Sequence, residues 1–231
     1  MGGDRMEGQK RQVLALVGSY RKGGNTDLII EQALAGARDC GAETEKFFVD
    51  DLRFTSCQGC YECRPAGVCK LEDDVRLIRD KIEAADGIII GTPIYGNYMT
   101  GQLKTLLDRL MGVLTRRVFD PREKKFQTFS RMVPKQRNVL LVFTAGAPHP
   151  ECAEDAEKLL RRMMEKHTNG GFIEALVATS VTSQGAIAMS VAELLELARR
   201  SGIPIGEEQA RQAWERNQRV LARAFELGRK L

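Results

Sequence analysis

The chain has 231 residues, 43% of them hydrophobic and 29% charged, which is ordinary for a globular protein and leaves room for one substantial domain. Its 35 basic and 31 acidic residues leave a net charge of +4, too small a bias to indicate a nucleic-acid-binding protein. No apolar run approaches the roughly 18 residues of a membrane span. The polar residues 1–10, expected to be flexible, do not resemble a secretory signal. We therefore expect a cytoplasmic protein without membrane or nucleic-acid partners.

Short apolar segments alternate with amphipathic ones along the chain. Strands are predicted at Gln12–Gly18, Glu45–Val49, Asp86–Gly91, Asn138–Thr144 and Phe172–Thr179. Helices are predicted at about Thr26–Cys40, from Asp73, from Thr100, at Glu154–His167 and from Ser190, where Glu193 completes a capping box. This alternation indicates an α/β protein with a five-stranded parallel sheet, doubly wound as in flavodoxin-like folds, over residues 11–205. Ligands of such sheets bind at the carboxyl ends of the strands.

The loop after the first strand runs from Gly18 to Thr26 and leads into a helix. Its free N–H groups and the helix dipole suit an anion, and its glycines allow close approach. Neither G-x-x-x-x-G-K-[ST] nor G-x-G-x-x-G is present, so a single phosphate is favoured over a dinucleotide. The alternative is a plain capped turn. The candidate phosphate residues are Ser19, Arg21, Gly24, Asn25 and Thr26.

Two further loops follow the third and fourth strands at the same predicted edge. The first contains Pro93, Ile94, Tyr95, Gly96 and Asn97, where the tyrosine could lie beside a planar ring and the N–H groups of residues 95–97 could meet ring oxygens and nitrogens. The second contains Thr144, Ala145 and Gly146. These loops could also simply pack on neighbouring helices, but three of them at one edge indicate a common site.

Four cysteines lie within thirteen residues, spaced C-x2-C-x2-C-x5-C, in the loop at residues 52–74 after the second strand. They are Cys57, Cys60, Cys63 and Cys69. In the cytoplasm such a cluster indicates metal binding rather than disulfides. Thiolate ligands select an iron–sulfur cluster or zinc, and four free thiols are the third possibility.

These segments together resemble a known family. GSYRKGGNTD, CQGCYECRPAGVC followed by LEDD, and GTPIYGNYMTGQLKTLLDR are similar to the iron–sulfur flavoproteins, within the NADPH-dependent FMN reductase group of the flavodoxin-like superfamily. The resemblance implies FMN, with its phosphate on the Ser19–Thr26 loop and its ring against Pro93–Asn97 and Thr144–Gly146. It also implies a [4Fe–4S] cluster on the four cysteines, and a homo-oligomer, dimer or tetramer, in which a neighbouring subunit helps complete the flavin site.

The resemblance therefore predicts a flavin-dependent oxidoreductase that converts two-electron into one-electron transfer, with a ferredoxin or NAD(P)H as donor. The alternatives are an NAD(P)H-dependent FMN or quinone reductase without a cluster, and a non-catalytic module with structural zinc. His149 could lie near the flavin, whereas His167 is expected to be solvated.

Two segments lie outside these motifs. The basic insertion at residues 116–137 could dock an acidic electron-transfer protein or a phosphorylated nicotinamide cofactor, or be solvated and pack its aromatic residues on a subunit neighbour. The tail at residues 206–231 is predicted to be a helix with Trp214, Leu221 and Phe225 on one stripe, packing on its own domain or acting as an oligomer arm.

Overall fold

The computed structural model describes residues 10–231. The N-terminal segment predicted to be flexible lies, apart from Lys10, outside the described residues. The strands are β1 (Gln12–Val17), β2 (Glu43–Phe48), β3 (Gly87–Pro93), β4 (Thr115–Asp120), β5 (Lys125–Ser130), β6 (Asn138–Thr144) and β7 (Ile173–Ala178). The helices are α1 (Asn25–Asp39), α2 (Cys63–Ala66), α3 (Val75–Ala84), α4 (Gly101–Leu114), α5 (Glu154–Thr168), α6 (Val191–Arg200) and α7 (Glu207–Gly228).

Five of the strands form one parallel sheet in the order β2-β1-β3-β6-β7. Counted among these five alone, the order is 2-1-3-4-5, which is the flavodoxin-like arrangement. The predicted fold class is therefore confirmed. The three central strands are almost entirely buried because helices cover both faces of the sheet.

Each face of the sheet carries its own apolar core. On one face, α3, α4 and α5 pack on alternate strand residues such as Leu16, Ile88 and Phe143. On the other face, α1 and α7 pack on the intervening residues, such as Val17 and Ile89. None of the described helices combines the length and hydrophobicity that a membrane span requires.

The C-terminal helix α7 packs directly against α1. A Cβ atom at Gly228 would overlap the carbonyl oxygen of Ala33, and one at Gly36 would overlap that of Phe225, so the two backbones are in close contact. The contact face consists of small and apolar residues, whereas Trp214 remains 37% exposed. The buried residues of α7 are Ala210, Asn217, Ala224, Leu227 and Gly228. The stripe predicted from Trp214, Leu221 and Phe225 is thus not the most buried face.

The basic insertion forms an antiparallel hairpin, β4–β5, which the sequence pattern did not reveal. Phe119 and Phe126 contact each other edge to face across it at 5.3 Å between ring centroids, yet both remain more than half exposed. At the base of the hairpin, Ser130 hydrogen-bonds His167. The expectation that His167 is solvated is wrong: it is 4% exposed, because the end of α5 packs against this base.

Candidate functional site

A cavity of about 190 Å³ opens where β1, β3, β6 and β7 end, and we call it the edge cavity. Ten of the thirteen residues predicted to contact a flavin line it, so one site does bring the three predicted loops together. These ten are Ser19, Arg21, Gly24, Asn25, Thr26, Pro93, Ile94, Tyr95, Thr144 and Gly146. Gly96, Asn97 and Ala145 do not line it. Ala145 is buried and bonded through its backbone to Ala178 and Val181.

The loop after β1 is closed by its own backbone bonds. The N–H of Arg21 donates to Ser19 Oγ at 3.2 Å, and the N–H of Gly24 donates to the Arg21 oxygen at 3.0 Å. Gly24 occupies the N-cap position of α1 without a side-chain cap. Among the described residues, no acceptor takes the first-turn N–H groups of Asn25, Thr26 and Asp27. These unpaired donors, at the positive end of a helix dipole, fit a phosphate group.

The side chain of Asn25 has a different role from the predicted one. Its Nδ2 donates to the carbonyl oxygens of Val181 and Ser183 at 3.2 and 2.8 Å, and its Oδ1 accepts the N–H of Ile187 at 3.0 Å. The amide is therefore fully occupied in fastening the loop after β7. Only the backbone N–H of Asn25 remains for an anion, which corrects the prediction of a side-chain phosphate contact.

Buried threonine hydroxyls join the loops at the floor of the edge cavity. The hydroxyls of Thr26 and Thr144 lie 2.7 Å apart, which connects the start of α1 to the end of β6. Thr100 occupies the N-cap position of α4, but its hydroxyl donates to the Gly18 oxygen at 2.7 Å rather than capping the helix. The site is thus held by side chains that cross between strand ends.

A tight turn presents the aromatic ring predicted to lie beside the flavin. Tyr95 and Tyr98 exchange backbone hydrogen bonds of 2.8 and 3.1 Å around Gly96 and Asn97, whose φ angles are +57° and +61°. This is a two-residue hairpin turn, in which glycine and asparagine are favoured. The N–H of Tyr95 is consequently occupied, which corrects the prediction that it is free to meet a ring atom. The N–H groups of Gly96 and Asn97 have no acceptor among the described residues. Tyr95 itself is 50% exposed.

Three lining residues were missed by the sequence analysis: Val181, Thr182 and Gln184. They follow β7, so the rule that ligands bind at the carboxyl edge could have indicated them. Arg21 donates to the Thr182 oxygen at 3.3 Å, which closes this side of the cavity. The side chain of His149 is exposed and is not part of the lining.

A second cavity, of about 520 Å³, is lined by all four cysteines of the cysteine-rich loop, and we call it the cysteine cavity. It lies between that loop, α4 and the β4–β5 hairpin. Cys57 and Cys60 are exposed, and Cys63 and Cys69 are half-buried. The short helix α2 ends at Gly67, whose φ of +71° turns the chain back towards Cys69.

In the cysteine cavity, the sulfur of Cys63 lies directly against Gly112 of α4. A Cβ atom on Gly112 of α4 would overlap the Sγ of Cys63, so a glycine is required for the loop to approach the helix. Burial raises the pKa of the Cys63 thiol, and negative charge on Cys69, Cys57 and Cys60 raises it further. Metal binding would have to deprotonate these thiols. Across residues 10–231, however, no group of three or more histidine, cysteine or acidic side chains is arranged to hold a metal ion.

A buried ion pair anchors the cysteine loop to α4. Arg109 is 2% exposed and makes a two-pronged contact with Asp73, with nitrogen–oxygen distances of 2.8 and 3.0 Å. The same guanidinium donates to the Thr55 oxygen at 2.8 Å. Asp73 also accepts the N–H of Val75 at 3.2 Å, at the start of α3. One arginine therefore contacts the loop both before its first cysteine and after its last.

Cations surround the cysteine cavity. Arg64 lies over Tyr61 at 3.8 Å, Arg117 over Phe126 at 4.9 Å, and Arg116 over Phe129 at 5.8 Å. No carboxylate of the described chain forms an ion pair with these three arginines. Such a lining would offset the negative charge of a group held by four thiolates.

Comparisons with known proteins agree with this geometry. The family model for NADPH-dependent FMN reductase matches residues 11–190. An iron–sulfur flavoprotein of Methanosarcina thermophila is 42% identical over 107 residues, which is 46% of this chain and 54% of that protein. An iron–sulfur flavoprotein of Methanocaldococcus jannaschii is 41% identical over 98 residues, 42% of this chain and 51% of that one. The alignments thus span about half the length of these relatives.

One relative aligns over a longer part of this chain, and one solved structure superposes on nearly all of it. A putative NAD(P)H-dependent FMN-containing oxidoreductase of Bacillus subtilis is 32% identical over 143 residues, covering 61% of this chain and 69% of that one. The structure of an NAD(P)H:quinone oxidoreductase from Methanothermobacter marburgensis superposes with a TM-score of 0.60 at 14% identity, covering 96% and 98% of the two chains. At that identity the likeness shows the fold alone.

Proposed function

Because this chain belongs to the NADPH-dependent FMN reductase family, we propose that it is an FMN-dependent oxidoreductase of the iron–sulfur flavoprotein type. The observation that carries the proposal is the pair of cavities, one with unpaired phosphate donors and one lined by four cysteines. When bound, FMN would supply two-electron hydride chemistry and a [4Fe–4S] cluster would supply one-electron transfer.

The edge cavity supports FMN through the residues of this chain. The N–H groups of Asn25, Thr26 and Asp27 would hold the phosphate, with the hydroxyl of Ser19 beside them. The N–H groups of Gly96 and Asn97 would meet the edge of the ring. Gly146 keeps the cavity open, because a Cβ there would lie 2.7 Å from Thr182 Cγ2. A Gly146→Val variant should therefore lose FMN while retaining its fold.

The cysteine cavity supports a cluster through its donor set and its charge. Cys57, Cys60, Cys63 and Cys69 would be the ligands, since thiolates select iron–sulfur clusters. A cubane attaches each thiolate to a different iron, which requires wider spacing than a single zinc ion, whose thiolates lie about 2.3 Å from one centre. The support for a cluster is that all four cysteines line one cavity of about 520 Å³.

A second candidate is a flavin reductase without a cluster, acting on FMN or quinones with NAD(P)H. Two observations favour it: the described residues contain no group of three or more side chains arranged to hold a metal ion, and the Bacillus subtilis relative is named as an FMN-containing oxidoreductase. In both candidates we propose NAD(P)H as the donor, as the family name suggests; a reduced ferredoxin is the alternative donor. Loss of flavin absorbance on anaerobic mixing with each donor distinguishes them.

We also propose a homo-oligomer, a dimer or a tetramer, in a reducing cytoplasm. A two-stranded hairpin is marginally stable alone, and β4–β5 exposes Phe119, Phe126 and Phe129. A second copy of the chain covering the hairpin would bury these rings. Analytical ultracentrifugation that finds only a monomer would contradict this part.

The test of the proposal is the cofactor content of protein purified without oxygen. We expect flavin absorbance and about four iron and four sulfide per FMN, as the cluster formula requires. Cys63→Ser should lose iron and keep FMN, whereas Cys40→Ser, an exposed cysteine outside the loop, should keep both. FMN without iron or sulfide would select the second candidate, and protein that binds no FMN would refute both.

A further inference from the structure

We propose that Arg109 is a positioning residue that holds both ends of the cysteine loop on α4 and sets the electrostatic environment of the group bound by the cysteines. The second half of this inference rests on the proposed function, whereas the first half concerns the chain alone. Arg109 contacts Thr55, two residues before Cys57, and Asp73, four residues after Cys69. The flanks are also joined to each other, because Asp74 accepts the Arg53 N–H at 2.6 Å. Among the described side chains, Arg109 is the one that links both flanks to α4.

Burying the Arg109 guanidinium costs desolvation free energy, which indicates that this position serves more than stability. Its side chain is removed from water, and a buried ion pair seldom stabilises a fold more than apolar residues of similar size. Its Nε–H is buried with no hydrogen-bond partner among the described residues. Leaving a buried donor unpaired costs about 1–3 kcal/mol. Arg109 lines the cysteine cavity and its side chain interacts with that of Cys69, so the sulfur of Cys69, or of a group bound to it, is the natural acceptor.

Two consequences follow from this placement. First, the loop should move away from α4 when the two-pronged contact is lost, and its cysteines should become more accessible, while the Arg53–Asp74 hydrogen bond still joins its flanks. Second, a buried positive charge and a donor beside an iron–sulfur cluster favour the reduced state, because reduction adds negative charge. Arg109 would therefore raise the reduction potential of the cluster.

The first consequence is tested on metal-free protein by the rate of thiol alkylation, followed residue by residue with mass spectrometry. Arg109→Lys keeps the charge but loses the two-pronged geometry, and should speed alkylation of Cys63 and Cys69 at least tenfold. Cys40, exposed at the end of α1, is the internal reference and should not change. Lys158→Met removes the exposed pair with Glu154 on α5, neither residue of which lines the cysteine cavity, and should leave all rates unchanged.

The second consequence is tested by redox titration of the cluster-loaded protein. Arg109→Met should make reduction of the cluster at least tenfold less favourable. For one electron this lowers the reduction potential by about 59 mV. Arg109→Lys should lie between it and the parent, and Lys158→Met should match the parent because exposed charges are screened. If Arg109→Met does not fold, Arg109→Gln, which removes the charge but keeps a polar side chain beside Asp73, replaces it in the redox titration.

The outcomes separate this inference from the proposed function. Unchanged alkylation rates in folded Arg109→Lys would overturn the anchoring role. An unchanged potential in Arg109→Met, or in its replacement, would overturn the electrostatic role. A parent protein that takes up no iron would refute the cluster and the electrostatic role with it, yet the alkylation assay on metal-free protein would still decide whether Arg109 anchors the loop.

Discussion

Acid is expected to weaken the fold at His167. Ser130 Oγ accepts the N–H of Met132 at 3.0 Å and shares a hydrogen bond with His167 Nδ1, 2.8 Å away. Burial, followed by the positive charges of Arg137 and Lys166, lowers the pKa of His167 from 6.5 to about 4. Protonation would place a second cation beside the Arg137 guanidinium at a site removed from water.

The sign and size of the effect follow from linkage. Because the pKa is lower in the folded state, the contribution of His167 is complete above the unfolded pKa of 6.5 and is lost as the pH falls towards 4. At about 1.4 kcal/mol per pH unit, the loss across this interval is about 3 kcal/mol. Below the folded pKa the contribution is absent and no further change comes from this residue.

The assay is urea unfolding of the parent and of His167→Asn at about pH 7 and about pH 4, compared as free energies of unfolding. Asparagine keeps an acceptor near the position of Nδ1 but does not titrate here. Carboxylates also titrate in this range, so the quantity of interest is the difference between the two proteins. The parent should lose about 3 kcal/mol more than His167→Asn, while exposed His149→Asn should behave like the parent. Parallel pH profiles for the parent and His167→Asn would refute the argument.

Two further predictions concern packing and the edge cavity. Gly228→Ala should destabilise the fold by about 3 kcal/mol, because its Cβ would overlap the backbone of Ala33, whereas Gly101→Ala, which faces open space in α4, should be neutral or stabilising in the same urea assay. Asn25→Ala should speed amide hydrogen exchange around Ile187 and weaken FMN binding at least tenfold, since three hydrogen bonds to the β7 loop are lost. Unchanged exchange at that loop would contradict the fastening role of the amide.

The sheet could be predicted from the sequence because each strand is marked by residues that are adjacent in the chain. Apolar runs such as Ile88–Ile90 and glycine-rich strand ends are sufficient to count the strands, and the carboxyl-edge rule then places the loops. The capping box of Ser190 and Glu193 is equally local, and the structure confirms it. The hairpin β4–β5 was not predicted, because its many charged residues obscure the alternation of apolar and polar positions that is typical of a strand.

The roles of single polar side chains could not be predicted in the same way. Asn25 looked like a phosphate ligand because its position in the loop is right, but its partners come from a segment more than 150 residues later. His167 looked solvated because its neighbours in sequence are charged, although the hairpin base covers it. In both cases the deciding contacts are distant in sequence, where periodicity carries no information.

The most informative of these distant contacts joins two motif segments. LEDD supplies Asp73 and the end of GTPIYGNYMTGQLKTLLDR supplies Arg109, so the two segments meet as one buried ion pair. Burial of Arg109 and partial burial of Asp73 cost desolvation free energy that their attraction barely recovers. A pair of this kind is understandable where specificity of position matters more than stability. Here it fixes the flanks of a loop whose four thiols must converge on one cavity, and the alkylation rates of Cys63 and Cys69 report directly on that convergence.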